Sequence, residues 1–128
     1  MNRAVIGLGS NINPEENIRE AKDAIGGKFK IIKSSSFVKT DPVGIMDQDK
    51  FLNGALLIDS VMEAPELKSW LKNLESKLGR VKSEIRHGPR TIDLDILVWN
   101  GKIVDEEVHE REFLKKSIEE LMPELDLS

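Results

Sequence analysis

The sequence predicts an α+β protein in which helices pack on an antiparallel sheet. Short apolar runs of strand length alternate with longer segments whose apolar residues recur three and four positions apart. Their order is strand, helix, strand, strand, helix, strand, followed by a hairpin and a last helix. Split βαβ units of this kind build a sandwich of one sheet and its helices, the ferredoxin-like arrangement.

The first half of the chain supplies three predicted strands and one helix. The strands are the apolar run 4–8, the β-branched segment 29–38 and the segment 51–60. The helix begins with Asn13 as N-cap and Pro14 at its first position, and Gly26-Gly27 ends it. The loop 40–50 joins the second and third strands, which we expect to pair antiparallel.

The second half supplies two helices, a strand and a hairpin. The first of these helices starts with Pro65, carries leucines at positions 67, 71, 74 and 78 on one face, and ends at Gly79. Polar and apolar residues alternate from Thr91 onward, and we expect the fourth strand over 94–99. Asn100-Gly101 is a hairpin turn that should return the chain as an edge strand over 102–104. We expect irregular chain over 105–109 and a helix over 111–122.

Length and composition limit the classes of protein that the chain can belong to. Its 128 residues predict a single domain over 1–128. A net charge of −4 argues against a general nucleic-acid binder, and the lack of cysteine excludes a disulfide framework or a thiolate nucleophile. No signal peptide or membrane-spanning apolar run stands out, so we expect a cytoplasmic protein without membrane or obligatory protein partners.

The alternating strand places Asp93 and Asp95 on one face, opposite Ile92, Leu94 and Ile96. Residues two apart on a strand point the same way, roughly 6.5–7 Å apart. Mg²⁺ suits such a gap, because it takes oxygen ligands and is often held by one or two carboxylates together with substrate phosphates. A strand with an acidic solvent face is the alternative explanation of the same pattern.

A basic loop leads directly to this strand within an acidic protein. It carries Arg80, Lys82, Arg86 and Arg90, together with His87. Guanidinium groups beside a Mg²⁺ site favour a polyphosphate ligand, and phosphoryl transfer is catalysed chiefly by positioning and by neutralising charge. A solvated basic loop is the alternative. The Walker A sequence is missing, which excludes a P-loop enzyme.

The strongest motif is Gly-Pro-Arg-Thr-Ile-Asp-Leu-Asp at 88–95. Together with Gly-Leu-Gly-Ser-Asn at 7–11, Thr-Asp-Pro-Val-Gly at 40–44, Phe-Leu-Asn at 51–53 and Leu-Gly-Arg-Val at 78–81, it resembles the 6-hydroxymethyl-7,8-dihydropterin pyrophosphokinase family. The resemblance implies a ferredoxin-like fold and transfer of pyrophosphate from ATP to the pterin hydroxymethyl group in folate biosynthesis, with release of AMP.

The resemblance also implies a role for individual residues. Asp93 and Asp95 match ligands of Mg²⁺, of which the family implies two ions, and Arg80 and Arg90 match arginines that stabilise the transferring charge. The implied pterin-binding residues are Thr40, Pro42, Val43, Gly44, Phe51, Asn53 and Phe113. The implied nucleotide-binding residues are Glu75, Arg80, Lys82, Arg86, Arg90, Ile96 and His109. Without the family, Asn53 could equally cap a β-bulge.

Several positions depart from the family pattern. His87 stands where tryptophan is common, Phe51 where tyrosine is common, and Lys82 where arginine is common. The segment between Val104 and Arg111 is short, and His109 there lacks the usual preceding proline. A compact active enzyme is therefore one hypothesis. A repurposed or weakly active pterin-binding relative on the same fold is the other, and a ferredoxin-like interaction domain would leave the arginine loop unexplained.

Overall fold

A computed structural model describes residues 1–41, 49–79 and 92–127. Within these ranges it contains six strands, three α-helices and one short 3₁₀ helix. In chain order they are β1 (Asn2–Ser10), α1 (Pro14–Lys28), β2 (Lys30–Ser34), β3 (Val38–Thr40), β4 (Phe51–Ser60), α2 (Ala64–Lys77), β5 (Asp93–Trp99), β6 (Lys102–Ile103), the 3₁₀ helix (Glu106–His109) and α3 (Glu112–Leu121).

The strands form one antiparallel sheet in the order β2-β4-β1-β5-β6, and β3 pairs with β4 beside β2. When β2 and β3 are counted as one interrupted strand, this is the order expected from two interleaved βαβ units. The predicted α+β class and the antiparallel pairing are therefore confirmed.

Helices cover both faces of the sheet. One apolar core joins α1 and α2 to one face, and its members include Ile6, Ile25, Leu71 and Leu94. A second core joins α3 to the other face through residues such as Ile118. The central strand β1 is buried on both sides, which explains why 4–8 is a continuous apolar run and does not alternate.

The predicted strand 29–38 is wrong as a single element. The structure divides it into β2 and β3, with a break over 35–37. At the break the Ser35 backbone N–H donates to Ala55 O at 2.9 Å, and the Ala55 N–H donates to Ser35 Oγ at 2.8 Å. The serine hydroxyl thus takes the place of a backbone acceptor and lets the chain leave the regular ladder.

The predicted end of α1 at Gly26-Gly27 is also wrong, because the helix continues to Lys28. Two glycines cost about 1 kcal/mol each within a helix. Ile25 is fully buried and Phe29 is almost so, and the Phe29 N–H bonds to Ile25 O at 2.8 Å. Burial of this last turn outweighs the local propensity of the glycines. Asn13 lies at the N-cap position but makes no side-chain cap hydrogen bond.

Other local predictions agree with the structure to within a few residues. Asn100 and Gly101 both have positive φ, as a tight hairpin turn requires. Gly79, the second residue after α2, has φ +88°. The segment 105–109 contains the 3₁₀ helix where irregular chain was expected, and α3 spans Glu112–Leu121. Within the described ranges, no helix is long and apolar enough to cross a membrane.

Candidate active site

The site is built on three neighbouring strands whose registers place small and polar residues in two rows. Gly9 of β1 lies between Asn53 of β4 and Asp93 of β5. Gly7 in the same way lies between Ala55 and Asp95. Residues paired across antiparallel strands share a face. This face therefore carries the amide and the two carboxylates on either side of a glycine strip.

The glycines keep this strip open. A Cβ atom on Gly9 would lie 2.5 Å from Asn53 Oδ1, and one on Gly7 would lie 3.0 Å from Leu97 Cδ1. Leu97 has no partner in the β1–β5 register, where Val5 pairs with Val98 and Ile6 with Ile96. This β-bulge ends the strict alternation predicted from Thr91, and Leu97 packs in the core on the α3 face.

A first cleft of about 340 Å³ lies over these rows. It brings together six of the residues predicted for the pterin and metal sites, namely Thr40, Phe51, Asn53, Asp93, Asp95 and Phe113. Asn53 Nδ2 donates to Thr40 Oγ1 at 2.6 Å. The β1–β4 register runs without a shift through Asn53, so this residue caps no bulge between those two strands.

Two carboxylates form one wall of the first cleft. Asp93 is half-buried, and the Asp95 side chain is 43% exposed. Within the described residues no cluster of three or more acidic or histidine side chains could hold a metal ion by itself. The donor set fits a hard cation that takes its remaining ligands from water and substrate phosphate, as Mg²⁺ commonly does.

A lysine that the sequence analysis did not single out contacts this wall. Lys72 of α2 places its Nζ 3.3 Å from Asp95 Oδ1, 3.1 Å from Glu75 Oε2 and 3.0 Å from Leu94 O. Burial lowers the pKa of Lys72, but attraction to Asp95, then to Glu75 and Asp93, outweighs burial and raises it above its ordinary value. Lys72 and Glu75 are three residues apart, so the sequence alone places them on one helix face. The contact between Lys72 and Asp95 is visible only in the tertiary structure.

Glu75, predicted to bind nucleotide, is almost completely buried in α2. The side chain is 2% exposed, and its Oε2 accepts a hydrogen bond from the Leu94 N–H at 2.6 Å. Lys72 donates to the same oxygen. The carboxylate therefore ties α2 to the strand that carries the aspartates, and a direct nucleotide contact by Glu75 stays a prediction.

A second cleft, of about 690 Å³, lies along the edge of β5 between α2 and the 3₁₀ helix. Ile96, predicted to bind nucleotide, lines it together with Lys72, Trp99 and Val104. Asp95 and Asp105 line both clefts, so the two clefts adjoin at a carboxylate pair. His109 is exposed at the end of the 3₁₀ helix and does not appear among the described residues that line either cleft.

Seven predicted site residues lie outside the described ranges: Pro42, Val43, Gly44, Arg80, Lys82, Arg86 and Arg90. The described residues next to the first gap do reach the site, because Thr40 and Asp41 line the first cleft. That cleft is also lined by Asp105, Glu107 and Arg111, to which no sequence motif pointed. The run Asp-Glu-Glu at 105–107 was visible as charge, but charge alone does not place a residue in a cleft.

Fold and site together define an α+β protein with two adjoining clefts of small-molecule size, which meet at a carboxylate. The family model of 7,8-dihydro-6-hydroxymethylpterin-pyrophosphokinase (HPPK) matches residues 5–123. The chain belongs to this family, as its motifs led us to expect.

Curated relatives are named as pteridine pyrophosphokinases or as folate synthesis proteins. The 2-amino-4-hydroxy-6-hydroxymethyldihydropteridine pyrophosphokinase of Bacillus subtilis is 41% identical over 109 residues, which is 83% of this chain and 65% of that protein. The protein of the same name from Methylorubrum extorquens is 36% identical over 98% of this chain and 85% of its own length. A folate synthesis bifunctional protein of Arabidopsis thaliana is 36% identical over 84% of this chain and 23% of its length. The chain thus spans just under two thirds of the Bacillus relative.

Proposed function

We propose that this protein transfers pyrophosphate from ATP to the hydroxymethyl group of 6-hydroxymethyl-7,8-dihydropterin and releases AMP. The hydroxymethyl oxygen attacks the β-phosphorus, the bond from that phosphorus to the oxygen of the α-phosphate breaks, and the hydroxyl proton passes to water. The observation that carries the proposal is the first cleft of an HPPK-family chain, which is lined by four of the predicted pterin residues and by the aspartate pair.

The pterin end of the cleft suits a flat, polar heterocycle. Phe51 and Phe113 supply aromatic surface, and Asn53 supplies an amide that can both donate and accept. The hydrogen bond from Asn53 to Thr40 holds the amide in place before a ligand binds. Preorganisation of this kind lowers the entropy that binding costs.

Asp93 and Asp95 are the residues that would hold Mg²⁺, with ATP as co-substrate. Bound there, Mg²⁺ would neutralise charge on the triphosphate and on the leaving AMP. We propose that the nucleotide occupies the second cleft, beside Ile96, so that its triphosphate points toward Asp95, which both clefts share. Arg80, Lys82, Arg86, Arg90 and His109 stay predicted nucleotide contacts on the strength of the family motif. The number of ions and a cytoplasmic location also stay predictions.

The test is AMP formation from ATP and the reduced pterin, with and without Mg²⁺. We expect magnesium-dependent AMP together with a pyrophosphorylated pterin. Pterin binding without AMP would overturn the proposed transferase activity and favour the alternative hypothesis of a repurposed pterin-binding protein. AMP formation that does not respond to Mg²⁺ or to chelation would overturn the metal part alone.

A further inference from the structure

We propose that Lys72 is a permanent counter-ion of the Asp95 carboxylate. It weakens the binding of a divalent cation at this carboxylate until nucleotide is present. The inference rests on the proposed function, since it takes Asp93 and Asp95 as metal ligands. Lys72 comes from α2, which packs on the sheet face opposite α3, yet its ammonium group reaches the aspartate wall along the edge of β5. It acts through Asp95 and is therefore a positioning residue.

The ammonium group is held by a complete set of acceptors. Its three protons match three oxygens, on Glu75, Leu94 and Asp95, at 3.0 to 3.3 Å. Glu75 is buried and is itself bonded to the Leu94 backbone, so it fixes the position of the lysine. A lysine held in this way stays close to Asp95 without a ligand.

The charge arrangement gives the direction of the effect. A divalent cation at Asp95 meets the positive charge of Lys72 about one hydrogen-bond length from the same carboxylate. The two cations share one anion and repel each other. Both side chains are partly exposed, 38% for Lys72 and 43% for Asp95, so solvent moderates this repulsion without removing it. Loss of the lysine charge should therefore tighten metal binding.

Nucleotide changes this balance because Lys72 also lines the second cleft. A triphosphate in that cleft offers the ammonium group an anionic partner other than Asp95. Lys72 then binds the nucleotide that carries the metal ion, and it no longer repels that ion at Asp95. The contact between Lys72 and Asp95 thus makes cation binding depend on nucleotide. Without nucleotide, the protein has a low affinity for the divalent cations of the cell.

The test is Mn²⁺ binding, followed by paramagnetic resonance of the free ion, to the full chain without nucleotide. We expect Lys72→Met to tighten Mn²⁺ by about three- to tenfold, as loss of a partly exposed charge contact allows. Lys72→Arg, which keeps the charge, should bind like the wild type. Lys77→Met is the matched control: Lys77 lies in the last turn of the same helix, is exposed and is absent from the described lining of both clefts, and its loss changes the net charge equally. It should shift binding by less than about twofold.

A second variant separates a direct charge effect from damage to the helix contact. Lys72→Met leaves Glu75 buried without the lysine, whereas Lys72→Met with Glu75→Gln removes that charge as well. Tighter Mn²⁺ binding in both variants supports the inference. Equal or weaker binding in both, while the wild type binds Mn²⁺ in an Asp95-dependent way, overturns it. No binding in wild type and variants overturns the metal site of the proposed function itself.

The nucleotide step has its own readout. The same titrations are repeated with the protein saturated by a non-hydrolysable ATP analogue. We expect the difference between wild type and Lys72→Met to shrink, because the triphosphate draws the ammonium group away from Asp95. A difference of unchanged size in the presence of the analogue overturns the dependence on nucleotide.

Discussion

Asp95 is the residue at which the two clefts and the lysine contact meet. We expect Asp95→Asn to lower AMP formation at least about a hundredfold, because removal of one preorganised electrostatic group at a transferring phosphate commonly costs that much. The free energy of unfolding should change by less than about 1 kcal/mol, since the Lys72–Asp95 pair is partly exposed. A coupled assay for AMP and a urea titration measure the two effects. Turnover like that of the wild type would remove Asp95 from the site.

Asn53 is the polar residue on which the proposed pterin binding depends most. Asn53→Ala removes the amide at one end of the row formed with Gly9 and Asp93, and loss of a buried hydrogen-bond partner costs about 1–3 kcal/mol. We therefore expect pterin affinity, measured by fluorescence titration, to fall about tenfold or more. Thr40→Val removes only the hydroxyl that accepts a hydrogen bond from the Asn53 amide. This substitution should lower pterin affinity less than Asn53→Ala does. A larger loss of affinity from Thr40→Val would contradict the roles assigned to the two residues.

At the scale of elements, the central strand β1 contributes to the first cleft as well as to the core. Gly9→Ala would place a Cβ atom 2.5 Å from Asn53 Oδ1, so the amide must move. The displaced atom ends a flexible side chain, and we expect the fold to survive while pterin affinity falls about tenfold or more, as for loss of the amide itself. Circular dichroism and the fluorescence titration measure both. Unchanged affinity would show that the glycine strip does not shape the pterin site.

Gly27→Ala in α1 is the matched control for that substitution. A Cβ atom there meets nothing within 4 Å, and its φ is not in the left-handed region. Alanine at a helical position is favoured over glycine, so we expect stability to rise by about 0.5–1 kcal/mol. Pterin affinity should stay unchanged. A loss of stability at Gly27 would contradict the finding that α1 continues through both glycines.

At the scale of the whole molecule, the sheet joins two separate cores. Leu71 belongs to the core under α1 and α2, and Ile118 to the core under α3. Either residue changed to alanine should lower the free energy of unfolding by about 2–5 kcal/mol. Because β1 contributes to both cores, we expect each variant to unfold in one transition by fluorescence and by circular dichroism. Two separate transitions would contradict the predicted single domain over 1–128.

The element order and the sheet class could be predicted from the sequence, and so could six residues that line the first cleft. The leucine stripe of α2, the alternation at 92–96 and the Asn100-Gly101 turn each follow from local chemistry, and the structure contains all three. The motif at 88–95 identified the family, and with it the pterin and aspartate residues that the first cleft brings together. These properties are encoded by neighbours in the chain, where periodicity and spacing are visible.

Features that depend on contacts between distant parts of the chain could not be predicted from the sequence. Helix α1 continues past Gly26-Gly27 because Phe29 is buried, and the predicted second strand breaks because Ser35 bonds to Ala55 across the sheet. The sharing of Asp95 between two clefts needs the packing of α2 beside β5. The position of Lys72 needs the same packing, because no periodic pattern records a contact between residues 23 positions apart. Burial and long-range hydrogen bonds outweigh local propensity at these places, and they determine which charges meet at the site.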